Sequence, residues 1–181
     1  LTLDEAAGGA ITSMETESGK PLLAGPSNEL VSYRDSGGLW RMGHEFVGGS
    51  LREAAQAAGR PARLEVREHA GGLEVACTVQ LDGEPVHRLL WLADGSPLIR
   101  GRVVGRAAAR RTVTLRFDTA LAPEFLSMDS PGGAVERPPV RVYDPTFWPV
   151  QRWWHARERA GGRGVALLLG LCLVVLRVRG A

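Results

Sequence analysis

Asp129 and Glu136 flank the turn Pro131-Gly132-Gly133, so their carboxyl groups can approach each other across one loop. Two carboxyl groups about 5 Å apart would suit hydrolysis of a glycosidic bond with retention, one as nucleophile and one as acid/base. Asp35 and Glu45 offer a second pair of this kind, although acidic residues at loop tips usually serve only solvation. His44 is followed directly by Glu45. A histidine and a glutamate can move a proton between a sugar's ring oxygen and its anomeric hydroxyl. Consecutive residues of a strand point to opposite faces, which weakens that pair.

Five tryptophans add a different chemistry: Trp40, Trp91, Trp148, Trp153 and Trp154. Sugar rings stack their C–H faces on aromatic faces, and nearby carboxylates and arginines bind hydroxyls. Trp40 beside Tyr33, Arg34, Asp35 and Arg41 reads as a sugar-facing loop, or as an anchor that holds the loop to the core. Asp35 and Trp40 are candidate sugar contacts. Arg137 is a third: it would bind a substrate hydroxyl or carboxylate, or else pair with Asp129 or Glu136 to fix its loop. Trp153 and Trp154 are adjacent, so a strand would turn one to the core and the other outward. The histidines and the two cysteines show no metal-ligand spacing, and no Gly-x-Ser-x-Gly turn is present.

These residues must be held by short strands, because Gly and Pro punctuate the chain about every ten residues. The strongest strand signal is Leu73–Leu81, where Leu73, Val75, Cys77, Val79 and Leu81 share one face by strict alternation. Its expected partners are Ala62–Arg67 through Ala70-Gly71-Gly72, and Pro85–Leu92 through Asp82-Gly83. Asp94-Gly95 then turns the chain into Pro97–Val104. Arg111–Phe117 alternates again, with Val113, Leu115 and Phe117 inward. Leu1–Asp4 and Ala10–Met14 form a hairpin around Gly8-Gly9, and Glu29–Tyr33 is a further strand. Ser50 and Glu53 have capping-box spacing ahead of Ala54–Ala58, which allows one short helix or an irregular loop. The apolar run Val165–Leu176 reads as two buried strands with a turn near Gly170. It is too short for a transmembrane helix, which needs about 20 residues. The fold class is therefore all-β, an antiparallel β-sandwich with at most one short helix.

Composition excludes little else. At 44% hydrophobic, 23% charged and a formal net charge of +2, the 181 residues read as one ordinary globular domain. Of the 22 basic residues only Lys20 is lysine. The densest basic run, Arg106, Arg110 and Arg111, precedes a strand and reads as a solvated turn, so no nucleic-acid partner is expected. Cys77 and Cys172 sit among apolar neighbours and read as buried thiols. No signal-peptide pattern opens the chain, and no membrane partner is expected.

The order of motifs toward the C-terminus carries a family resemblance. Pro131-Gly-Gly-Ala-Val-Glu136-Arg137-Pro138 is followed by Tyr143-Asp-Pro-Thr-Phe147-Trp148-Pro-Val-Gln151-Arg-Trp153-Trp154 and by Gly161-Gly-Arg163-Gly164-Val-Ala-Leu-Leu-Leu169. Asn28-Glu-Leu and Tyr33-Arg-Asp35-Ser-Gly-Gly-Leu-Trp40-Arg precede them. From Leu1 to about Gly170 the chain resembles the C-terminal β-domain of glycoside hydrolase family 38, the α-mannosidases. The resemblance implies a galactose-mutarotase-like supersandwich. It implies catalytic carboxylates and zinc only for a separate α/β domain, with no cofactor in this chain. The expected partner is that catalytic domain on the same polypeptide, with this chain a fragment that shapes its rim and contacts mannoside carbohydrate. An open sheet edge would invite self-association through an edge strand. An autonomous carbohydrate-binding module and a mutarotase-like epimerase using His44 and Glu45 are the alternatives.

Overall fold

A computed structural model describes residues 1–35, 53–140, 146–159, 162–168 and 174–178. At its centre is the alternating segment, which forms strand β6 (Gly72–Leu81). It sits in an antiparallel four-stranded sheet of order β5-β6-β7-β8, with β5 (Arg63–His69), β7 (Glu84–Ala93) and β8 (Ile99–Gly105). Asp82 and Gly83 link β6 to β7, both at positive φ, as a tight type I′ hairpin turn requires. Val75, Cys77, Val79 and Leu81 of β6 point inward, as do Val86 and Leu90 of β7. Leu73 is the exception, exposed at the end of the strand where little covers it.

A second sheet, of order β4-β3-β9, packs on this inner face. It comprises β3 (Glu29–Arg34), β4 (Glu53–Gln56) and β9 (Arg111–Arg116). Leu30 from β3 meets Cys77, Val79, Leu81 and Val86 in one core, joined by Ala57 and Ala62, with Val113 packed against it. The hairpin β1 (Thr2–Asp4) and β2 (Ala10–Ser13) turns at Gly8 and Gly9, both at positive φ. A Cβ on Gly9 would overlap the Cys77 thiol, so only glycine lets this turn lie so close to β6.

The second half builds its own core. β10 (Phe125–Ser130) and β11 (Gly133–Arg137) form a hairpin across Pro131-Gly132. With β13 (Trp153–Arg157) and β14 (Gly164–Leu168) they make a sheet of order β11-β10-β13-β14. β12 (Thr146–Val150) pairs with β15 (Val174–Val178) in a two-stranded sheet. Leu126, Met128, Val150, Trp154 and Ala156 form this second core, which shares no residue with the first. Trp154 is buried and Trp153 half-buried, as adjacent strand residues on opposite faces should be. The architecture is all-β and antiparallel, with no helix among the described residues.

Four local expectations are corrected. The helix allowed after Ser50 is instead strand β4 over Glu53–Gln56, hydrogen-bonded to β3. Its alanines gain more from the strand, which packs Ala55 and Ala57 on the first core, than from a helix with no apolar face to bury. Leu115 shares the inward face with Val113 and Leu30 but is left 39% exposed, because β9 is the edge of its sheet. The run Val165–Leu176 does not form a hairpin of two paired strands: β14 pairs with β13, while β15 pairs with β12. β14 is also an edge, and Leu168 is 69% exposed. Gly170 and Cys172 lie outside the described residues.

Candidate functional site

Of the three candidate sugar contacts, the described residues hold two, on different sheets. Asp35 follows β3. Its amide donates to the Arg110 carbonyl at 3.0 Å, and its Oδ2 accepts the Thr112 hydroxyl at 2.6 Å. Tyr33 is buried on the face of β3 opposite Leu30 and Ser32, and Arg34 is exposed at the strand's end. Arg137 ends β11 with its side chain exposed. Trp40, with His44 and Glu45, lies outside the described residues.

Asp129 and Glu136 do share a face of the β10–β11 hairpin. The register sets Ser127 opposite Glu136 and Asp129 opposite Ala134, so the two acids are diagonal neighbours. Diagonal strand neighbours are roughly 7–8 Å apart, wider than the about 5 Å of a retaining pair. Asp129 is 4% exposed and is held by Arg152, not by Arg137. Arg152 Nε donates to Asp129 Oδ2 at 2.7 Å and Nη2 to Oδ1 at 3.3 Å. That two-pronged grip is available because Arg152 follows β12 at the turn whose Gln151 amide donates to the Asp129 carbonyl. The hydrogen bond from Arg152 lowers the Asp129 pKa, which burial alone would raise. A general acid needs the opposite shift.

The same pairing recurs at the junction of the two halves. Glu158 follows β13, and Arg163 precedes β14 inside the Gly-x-Gly motif. Arg163 donates Nε to Glu158 Oε2 at 3.0 Å and Nη2 to Oε1 at 2.6 Å. Its remaining hydrogen atoms reach the Pro21 carbonyl at 2.6 Å and the Ala120 carbonyl at 3.2 Å. Glu158 also accepts the Ala122 amide at 3.2 Å. One ion pair thus ties the β13–β14 hairpin to two segments that run antiparallel through the Leu23–Thr119 bridge. The Arg163 hydrogen bond, then the Ala122 amide, lower the Glu158 pKa to about 2. Arg159 lowers the pKa of Glu124 in the same way, through its hydrogen bond first.

In the first half, buried Glu29 takes Arg116 Nη2 at 2.6 Å and Nε at 2.9 Å, and Arg116 Nη1 reaches Glu53 at 3.0 Å. Burial opposes the charge on Arg116, but the Glu29 hydrogen bond and charge outweigh it and raise its pKa. Arg88 is the residue that sequence reading missed. It is 2% exposed and donates to the Gly8 and Asn28 carbonyls and, at 3.1 Å, to the Cys77 sulfur. Its signal was present: Arg88 falls at an inward position between Val86 and Leu90. It pins the β1–β2 turn and the start of β3 to the large sheet.

Among the described residues no group of three or more His, Cys, Asp or Glu side chains converges to hold a metal ion. No helix among them is long and apolar enough to cross a membrane. Comparison with protein-family models finds no match to this chain, and comparison with curated proteins finds none either.

Proposed function

We propose that this chain is a non-catalytic β-sandwich domain of an α-mannosidase-like glycoside hydrolase, whose chemistry belongs to an α/β domain of the same polypeptide. The observation that carries the reading is the use of its carboxylates. Asp129, Glu158 and Glu124 are each gripped by an arginine that lowers their pKa, and buried Glu29 is gripped by Arg116. These acids hold strand ends and sheet junctions together, whereas a glycosidase acid must keep its proton near neutral pH. The motifs behind the family resemblance fall on the same junctions: Glu136-Arg137 closes β11, Gln151-Arg152 leads into β13, and Arg163-Gly164 opens β14. Asp35, Trp40 and Arg137 are the residues through which the domain would touch a mannoside at the rim of the cleft. Zinc, in this reading, belongs to the α/β domain.

The test is an NMR experiment on the chain alone with α-linked mannobiose. Saturation transfer reads binding and new anomeric signals read hydrolysis. The expected outcome is an unchanged disaccharide. Product signals would put a working carboxylate pair in this domain and overturn the proposal.

A further inference from the structure

The outward face of the β5-β6-β7-β8 sheet carries a tryptophan that no role above absorbs. Strand register lines up Arg67, Glu74, Trp91 and Arg100 in one row across all four strands. The next row holds Glu65, Ala76, Leu89 and Arg102. Directly opposed side chains lie about 4.5–5.5 Å apart. A ring centred on Trp91 therefore reaches Glu74 on one side and Arg100 on the other. Trp91 is half-buried, and its ring meets that of His69 at a centroid distance of 5.7 Å and a 57° tilt, which steadies its orientation. Ala76 is small and Leu89 is exposed, so the floor beside the indole is low and apolar.

The charges on this face are uneven. Glu65 is engaged by Arg63 at 2.7 Å and Arg67 at 3.3 Å, and Glu74 lies 3.6 Å from Arg67. Arg100 and Arg102 on β8 are exposed and make no ion pair among the described residues. Four arginines against two glutamates leave an excess of two positive charges, both beside Trp91.

We propose that this face is a binding platform for an anionic pyranose chain. Trp91 stacks on the C–H face of one ring, through the negative face of the indole. Arg100 and Arg102 take the acidic groups of that ring and its neighbour, carboxylate or sulfate, by charge-assisted hydrogen bonds. Glu74 accepts from ring hydroxyls. A single-stranded nucleic acid fits less well. Such ligands are held by successive aromatic platforms along a basic track, and here a single tryptophan stands on the face. The site does not rest on the mannosidase reading, since hydrolysis of mannobiose tests that reading and acidic saccharides test this one.

The experiment is isothermal titration of the chain with four probes: a heparin tetrasaccharide, tetragalacturonate, neutral mannobiose and an oligothymidylate. Binding of one or both acidic saccharides, weakened by salt, is the expected result, and the tighter of the two identifies sulfate or carboxylate as the anion. Trp91→Ala and the double variant R100Q/R102Q should each lower that affinity roughly tenfold or more. Both arginines are exposed, so the double variant keeps its fold, which circular dichroism checks. Arg157→Gln, an exposed arginine on the other sheet, should leave affinity unchanged. No binding by either acidic saccharide would overturn the proposal, as would equal binding of mannobiose that Trp91→Ala abolishes. Tighter binding of the oligothymidylate, full affinity in R100Q/R102Q, or an equal loss in Arg157→Gln would overturn it too.

Discussion

The two hydrophobic cores should behave as energetically separate, and a double-mutant cycle on Leu30 and Met128 measures this. Both side chains are fully buried, Leu30 in the first core and Met128 in the second. Truncation of either to alanine removes three side-chain heavy atoms, about 2.4 kcal/mol at ~0.8 kcal/mol per buried group. The cavity left behind adds to this, for an expected loss of about 3–5 kcal/mol each. Against a total stability of roughly 5–15 kcal/mol, each single variant should remain folded at low temperature. The double variant loses about 6–10 kcal/mol, so all four proteins are compared in the same stabilising osmolyte. The two cores share no member and no flanking residue, so the double variant should lose the sum of the two to within about 0.5 kcal/mol. Urea unfolding followed by tryptophan fluorescence, with Trp154 inside the second core, and by far-ultraviolet circular dichroism gives all four free energies. A coupling term larger than about 1 kcal/mol would refute the division into two cores. So would a loss below about 1 kcal/mol in either single variant.

Three further outcomes are expected. Gly9→Ala should destabilise by about 2–4 kcal/mol in urea unfolding, since it adds backbone strain at φ 70° and drives a methyl group into the Cys77 sulfur; a neutral result would mean the turn is not so tightly apposed. The folded pKa of Glu158, about 2, lies below its ordinary value of 4.5, so the pair with Arg163 contributes stability above about pH 4.5 that is lost as pH falls toward 2. Wild-type stability should therefore fall more steeply over that window than that of Arg163→Gln, and parallel curves would dismiss the ion pair. Arg152→Gln should raise the Asp129 pKa, because the buried carboxylate loses the hydrogen bond that favours its charge; carboxyl-carbon NMR titration reads the change, and an unmoved Asp129 would contradict the assigned cause.

Much of the first sheet is written in local pattern. Strict alternation in β6 and the Asp82-Gly83 turn specify strand, partner and register, because side chains alternate faces and two positive φ angles close a hairpin of the right twist. The Ala54–Ala58 segment misleads for the opposite reason. Alanine is permissive, so its local preference for helix yields to the open edge of β3. Leu115 alternates correctly, but alternation says nothing of whether another layer covers the strand's end. The arginine pairings were not legible at all. Asp129 lies on β10 and Arg152 in the turn between β12 and β13, and Arg163 reaches carbonyls of Pro21 and Ala120 far away in sequence.

By itself the sequence determined that this chain is all-β, antiparallel and built of short strands, since side-chain period and turn chemistry act over a few residues. Tertiary structure alone decided which sheets pair, which arginine grips which acid, and that Trp91 stands outward in a row with Glu74 and Arg100. Those outcomes depend on strand order and register, which bring together residues that no local pattern connects.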